Sequence, residues 1–281
     1  MTLKRDNRLN DLSGSQWLYW TDTIYLTNFP PDSTHALRKR HGAMKPPELM
    51  AEIISFFTKK GELVLDPFAG VGGTLLGACL AGRRALGYEI NPRWVEIYRS
   101  LQQDFIMRDG FFYPRGEEKG AEIDAPMFQG DCLVLMPSLA EQSIDAVVTD
   151  PPYGYLHRVK GFHKETNFNM FNVQEKKDFA NAPDLDSFLE LIFRFGQEAW
   201  RVLKNKKYLI VMVGDRFIQG EYLPLGFHVA EKLRKVGFKL KGLKIWSNTS
   251  TRRRLKPYAV YFSFVPNITH HNILILKKEA N

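Results

Sequence analysis

The chain is poor in cysteine, with Cys79 and Cys132 as its two thiols among 281 residues. Neither has a neighbour at metal-ligand or redox-pair spacing, so no metal site and no disulfide framework are expected. The sequence holds no run of about 18 apolar residues, which argues against a membrane-spanning helix. No apolar stretch follows the charges of Met1-Thr2-Leu3-Lys4-Arg5-Asp6, so no signal peptide is expected, and a reducing, cytoplasmic setting is the simplest reading. Internal repeats and low-complexity tracts are absent. Acid is missing from one long stretch: between Lys232 and Lys278 there are twelve Lys or Arg and no Asp or Glu. The net charge is +8, yet outside that stretch 27 bases face 31 acids. Positive charge gathered in one region suits contact with a polyanion such as nucleic acid.

What is present reads as one α/β domain. At 281 residues, 44% hydrophobic and 25% charged, the chain has material for a full core. Residues 1–35 form an N-terminal extension, polar and then aromatic-rich (Trp17, Tyr19, Trp20, Tyr25). Its alternation from Trp17 to Leu26 suggests a strand or hairpin packed on the core, which takes up residues 36–281. Pro46-Pro47 opens a helix through Phe57, proline costing little in a first turn. Strands follow at Leu63–Asp66 and Arg84–Tyr88, each leading into a helix, the first to about Ala81 and the second over Pro92–Phe105. Residues 108–126 read as a surface loop. An apolar strand, Ile144–Thr149, precedes a loop over 154–183 that is long enough to serve an active site. Helices at 185–203 and 226–236 flank a strand at 208–213, and two β-rich segments, 238–246 and 258–276, close the chain. Alternating strands and helices predict a Rossmann-like, mostly parallel twisted sheet, with antiparallel pairing in a C-terminal hairpin.

Two motifs carry chemistry. The first is Asp66-Pro67-Phe68-Ala69-Gly70-Val71-Gly72-Gly73-Thr74, a glycine-rich turn from strand to helix. Glycine lets a ligand approach the backbone, and the helix start offers unpaired N–H groups. No Gly-Lys-Ser/Thr follows, which argues against a nucleoside triphosphate. Glu89 ends the next strand, where a carboxylate can take both hydroxyls of a ribose. Asp131, in Gly130-Asp131-Cys132-Leu133, places a further acid at a third strand end, able to accept from an adenine amino group.

The second motif is Asp150-Pro151-Pro152-Tyr153. Two prolines offer no N–H and force the chain out of the sheet at a strand's carboxyl end, where open α/β sheets bind ligands. Asp150 and a proline carbonyl can accept the hydrogens of an exocyclic amine while Tyr153 stacks on its ring. A nucleobase fits that description.

Together, Asp66–Thr74 and Asp150–Tyr153 resemble the S-adenosylmethionine-dependent DNA amino-methyltransferases that modify adenine N6 or cytosine N4. Lys45-Pro46-Pro47-Glu48-Leu49, with His41 upstream, is similar to the family segment that precedes the cofactor turn and helps hold the methionine end. Val211–Asp215 and His271–Lys278 resemble later core elements, so the likeness spans roughly residues 40–280. The order is cofactor region first, catalytic region second. Gly73 departs from the Ser or Thr more often found there, and no sizeable target-recognition domain stands apart.

The resemblance implies S-adenosylmethionine as cofactor, held by Lys45, Pro46, Asp66, Pro67, Phe68, Ala69, Gly70, Gly72, Thr74, Glu89, Asp131 and Cys132. It implies catalysis by Asp150, Pro151, Pro152 and Tyr153 on a base flipped from double-stranded DNA. Asp-Pro-Pro-Tyr leans toward adenine N6, with cytosine N4 the alternative. Ring-carbon methylation needs a nucleophilic cysteine of a kind that neither Cys79 nor Cys132 matches. Lys244, Trp246, Arg252, Arg253, Arg254 and Lys256 are expected to meet nucleic acid, the bases on phosphates and Trp246 by stacking. His270 and His271 read as structural. Rival readings are an RNA methyltransferase acting on guanine N2 or adenine N6, and a non-catalytic nucleic-acid-binding module.

Overall fold

The computed structural model describes residues 7–116, 119–153, 178–218, 220–252 and 266–280. Most of the 154–183 loop, together with Arg253, Arg254 and Lys256, lies outside the described residues. Eight strands make the main sheet: β1 (Ile24–Thr27), β2 (Leu63–Asp66), β3 (Arg84–Glu89), β4 (Met127–Gln129), β5 (Ile144–Thr149), β6 (Leu203–Val213), β7 (Lys239–Asn248) and β8 (His271–Lys277). Their order is β1-β7-β8-β6-β5-β2-β3-β4. β8 runs antiparallel to β6 and β7, and the other pairings are parallel. The mostly parallel sheet with antiparallel C-terminal strands matches the expectation from the sequence.

Period-2 alternation splits the core between the two faces of the sheet. Val64, Ala146, Val148, Ile210, Met212 and Ile273 point one way, toward α2 (Pro47–Phe57), α3 (Gly73–Leu80) and α4 (Pro92–Asp104). Leu65, Val147, Leu209, Val211 and Leu274 point the other way, toward α5 (Leu185–Val202) and α6 (Leu225–Val236). Fully buried strands with helices on both faces explain the continuous apolar runs. Between β2 and β5 the direction of winding reverses, and the crevice outside their carboxyl ends is the place such a sheet offers a ligand.

Three local readings change. First, Trp17 does not begin a strand. Ser13 and Gln16 form a capping box that starts α1 (Gly14–Trp20). From α1, Trp20 stacks on Phe56 with ring centres 4.1 Å apart, while Tyr19 is exposed. Second, residues 108–126 are more than a surface loop. Phe105–Arg108 pairs antiparallel with Phe111–Pro114, and Tyr98 donates 2.8 Å to the carbonyl of buried Ala125. Third, the C-terminal hairpin is not the whole of that side of the sheet: β8 sits inside it, between β7 and β6, and β1 covers β7 in parallel from the outside.

That last pairing overturns two assignments. Lys244 and Trp246 face inward and are only 3% exposed, so neither is available to nucleic acid. The Lys244 ammonium donates to the backbone carbonyls of Trp20 and Asp22 and lies 4.2 Å from the centre of the Trp20 ring. Trp246 Nε1 donates 2.8 Å to Thr27 Oγ1. Both side chains staple β1 and its approach to the sheet. A lysine–tryptophan pair near a basic run looks like a nucleic-acid face until the strand that covers it is placed.

Replacing Lys244 with Met leaves two inward carbonyls without their cationic donor. The expected cost is about 3 kcal/mol in denaturant unfolding, since bonds to charged groups contribute about 1.5–3 kcal/mol each. Nucleic-acid affinity of the folded Lys244→Met protein is expected to stay at the wild-type level, measured by fluorescence anisotropy.

Candidate active site

One cleft lies along the carboxyl ends of the parallel strands, enclosing about 990 Å³ of space that is partly open to solvent. The glycine turn forms one wall and Asp150-Pro151-Pro152-Tyr153 another. Lys45, Asp66, Pro67, Phe68, Ala69, Gly70, Thr74, Glu89, Asp131 and Cys132 all line it. Pro46 and Gly72 do not. Pro46 precedes α2, and Gly72 caps the start of α3.

Four of the acids, Asp66, Glu89, Asp131 and Asp150, reach the cleft because a strand ends beneath each. Asp66 closes β2 and is buried, with Oδ1 accepting from Thr149 Oγ1 at 2.6 Å and from Phe68 N at 3.0 Å. The threonine bond ties the ends of β2 and β5 together. Burial raises the Asp66 pKa to about 6, against the pull of those donors. Glu89 closes β3 and accepts 2.8 Å bonds from Gly70 N and Asn91 N. Desolvation lifts its pKa to about 8. Asp131 caps the short helix Cys132–Leu135 through Leu133 N at 2.9 Å. Burial raises the pKa of both Cys79 and Cys132, so both stay protonated thiols.

Gly72 shows why the turn needs glycine. Its φ is +80°, and a Cβ there would lie 2.1 Å from the Tyr98 ring. The turn is thus pressed onto α4 while its other side faces the cleft. The Nε2 edge of the His41 ring lies beside Gly70, and its buried Nδ1 has no hydrogen-bond partner among the described residues. Burial and Lys45 lower the His41 pKa to about 4, which leaves a neutral imidazole beside the glycine turn.

Opposite, Asp150 is engaged at both oxygens. Oδ2 meets Lys45 Nζ at 2.5 Å and Oδ1 accepts from Tyr153 Oη at 2.5 Å. Tyr153 packs beside His271, ring centres 5.7 Å apart, and its carbonyl accepts from Arg216 at 3.1 Å. The His271 ring centre also lies 5.0 Å from that of Trp246, and burial keeps the imidazole neutral.

The structure adds residues that sequence reasoning passed over. Asp178 and Phe179 reach the cleft from the far end of the long loop, and Phe179 meets Phe68 edge-on at 4.9 Å. Their signal was faint: an isolated acid–aromatic pair before Pro183. The basic run also shrinks on inspection. Lys239, Lys241 and Lys277 share Glu279 at 3.1, 2.9 and 3.1 Å, and Lys278 donates to the carbonyls of Trp200 and Leu203 at the end of α5. Arg252 ends a one-turn helix, Thr249–Arg252, that follows β7.

A family of DNA methylases, the N6/N4 methyltransferases, matches residues 2–100 and 144–281 of this sequence. The chain belongs to that family, a class of S-adenosylmethionine-dependent methyltransferases. Among curated relatives, a tRNA (guanine(10)-N2)-dimethyltransferase of Methanothermobacter thermautotrophicus is 31% identical over 46% of this chain and 33% of its own length. The type II methyltransferase M.MthZI of Methanothermobacter thermautotrophicus is 32% identical over 34% of this chain and 28% of its own length. This chain therefore spans about a third of the length of those relatives. The solved cyclase SpnF shares the fold alone, at 15% identity and a TM-score of 0.51, covering 84% of this chain and 81% of that one.

The raised pKa of Glu89 has a stability consequence. The folded state favours the protonated acid, so the stabilisation is complete below the ordinary pKa of 4.5 and is lost as pH rises toward about 8. Glu89→Gln carries no charge to desolvate. Its stability relative to wild type is expected to improve steadily from pH 5 to pH 8.5, as read by thermal unfolding across that range.

Proposed function

We propose that this protein transfers a methyl group from S-adenosylmethionine to the exocyclic amine of a base in double-stranded DNA, with adenine N6 as the target. The observation that carries this reading is the position of Asp150-Pro151-Pro152-Tyr153 across one cleft from the Asp66–Thr74 turn. An amine donor site and a cofactor cradle facing each other are what amine methylation requires. The match to DNA methylases supports DNA, and the aspartate of Asp-Pro-Pro-Tyr supports adenine.

The cleft fits the cofactor. Buried Glu89 is placed to take the ribose hydroxyls, the glycines of the turn allow close approach, and the Nε2 edge of the His41 ring lies beside Gly70. Asp131 and Cys132 border the end assigned to the adenine. When bound, S-adenosylmethionine supplies an electrophilic methyl group. The chain's own part is to hold the target. Asp150 and the Pro151 carbonyl accept the two N–H hydrogens of the amine, which favours a pyramidal nitrogen whose lone pair is withdrawn from the ring and localised toward the methyl group. Tyr153 supports the face of the base. Most of the acceleration then comes from orientation and fixed charge. The amine proton leaves toward Asp150, the adjacent acceptor.

A second reading rests on the tRNA guanine-N2 relative, because guanine N2 is also an exocyclic amine that an Asp-Pro-Pro-Tyr site can grip. Transfer of labelled methyl to unmethylated duplex DNA and to bulk RNA, followed by nucleoside mass analysis, separates the two. N6-methyladenine in DNA is the expected product, and label confined to RNA as N2-methylguanine overturns the substrate assignment. Asp150→Ala is expected to lower kcat by about 10²–10³-fold at saturating cofactor.

Arg252, Arg253, Arg254 and Lys256 remain the proposed phosphate contacts. Charge reversal of the three arginines is expected to weaken DNA binding and flatten its salt dependence, each lost phosphate contact lowering the log–log slope by about 0.9.

A further inference from the structure

We infer that Lys45 is a positioning residue for Asp150 and Tyr153, acting on the target amine's acceptor rather than on the methionine end of the cofactor. The inference rests on the amine-methylation reading above and deepens it by adding a residue to the acceptor side.

Three contacts define the role. Lys45 Nζ lies 2.5 Å from Asp150 Oδ2 and 3.0 Å from Tyr153 Oη, while Tyr153 Oη lies 2.5 Å from Asp150 Oδ1. The three polar groups close into a triangle. Each carboxylate oxygen thus has one donor, and its second lone pair is left to receive an N–H from the amine. The ammonium and the phenol fix both the plane and the rotation of the carboxylate. Without them a terminal carboxylate torsion is broad and loosely defined. A lone-pair alignment that depends on the acceptor's direction cannot tolerate that freedom.

The backbone is built to deliver this lysine. The Lys45 carbonyl accepts from Arg38 Nη1 at 3.1 Å. Arg38 is itself 1% exposed, paired to Asp32 at 2.5 Å and bonded to Thr34 Oγ1 at 2.8 Å. On its other side the same carbonyl rests against Gly73, where a Cβ would stand only 2.9 Å away. Gly73 therefore does more than complete the cofactor turn: it leaves room for the Lys45 backbone to pass close above α3. The lysine is 8% exposed and its only described charged partner within salt-bridge range is Asp150. A carboxylate-binding lysine for the cofactor would present a free ammonium, whereas this one is spent on Asp150 and Tyr153.

Two readouts test the assignment. Lys45→Met and Lys45→Arg are compared with wild type for cofactor affinity by calorimetry and for kcat at saturating cofactor. Lys45→Met is expected to bind S-adenosylmethionine nearly as wild type while kcat falls by about 100-fold, the scale of a small misplacement in an active site. Lys45→Arg, which keeps the cation and its donors, is expected to restore much of the rate. In an Asp150→Asn background Lys45→Met is expected to add no further loss. A large rise in cofactor Kd with kcat preserved would overturn the inference and return Lys45 to the cofactor side.

The second readout needs no turnover. A double-mutant cycle of Lys45→Met and Asp150→Asn on thermal stability is expected to be strongly non-additive, and additive shifts overturn the coupling. If the wild-type protein transfers no methyl to DNA or RNA, the amine-methylation reading fails while the cycle still decides whether Lys45 and Asp150 act as a unit.

Discussion

The structure depends on one short parallel pairing, Val64 to Ala146 and Leu65 to Val147, between β2 and β5. These strands are the point where the winding of the sheet reverses, so nothing packs over their carboxyl ends from within the sheet. Pro67 follows one strand and Pro151-Pro152 the other, and proline cannot extend a ladder. Both chains must therefore leave the sheet at the same level. The hydrogen bond from Thr149 to Asp66 fastens the two exits together, 2.6 Å across strands that are 83 residues apart in sequence. The glycine turn and the Asp150 segment become opposite walls of one cleft as a result.

The electrostatics of that cleft follow from its depth. Asp66, Glu89, Asp131, Asp150 and Asp178 all border it, against the single described cation of Lys45. Burial raises the first two and keeps His41 and His271 neutral. A cleft with more acids than cations along it favours a ligand that brings positive charge, as a sulfonium does, and the proposed donor supplies it. Lys45 then has a local task. It balances the acid nearest the proposed amine and leaves the acids around the turn to the ligand.

Charge elsewhere is less free than its count implies. Lys244 is committed to the backbone beneath β1, Lys278 to the end of α5, and three further lysines to Glu279. A basic stretch in sequence is a sum over positions, and folding sends those positions to different faces. What remains of the proposed nucleic-acid face is concentrated around Arg252–Lys256.

Much of the fold and of the site was legible in the sequence, because it rests on local rules. Apolar runs broken by proline and glycine mark where β2 and β5 end, and acids at those ends mark ligand-facing positions whatever surrounds them. The Gly70–Gly73 turn and Asp150–Tyr153 are short motifs whose chemistry is contained in their own backbone. Other features depended on partners far along the chain. Lys244 and Trp246 were misread because β1 lies more than 200 residues earlier, and only its docking decides that they face inward. Asp178 and Phe179 carry no motif and reach the cleft because α5 packs where it does. Lys45 belongs to a segment similar to a cofactor-holding one, and its sequence gives no sign that its ammonium meets Asp150, 105 residues later. Backbone geometry and hydrophobic period act over a few residues and survive in sequence; the partner of a charged side chain is a property of space, and the tertiary structure alone assigns it.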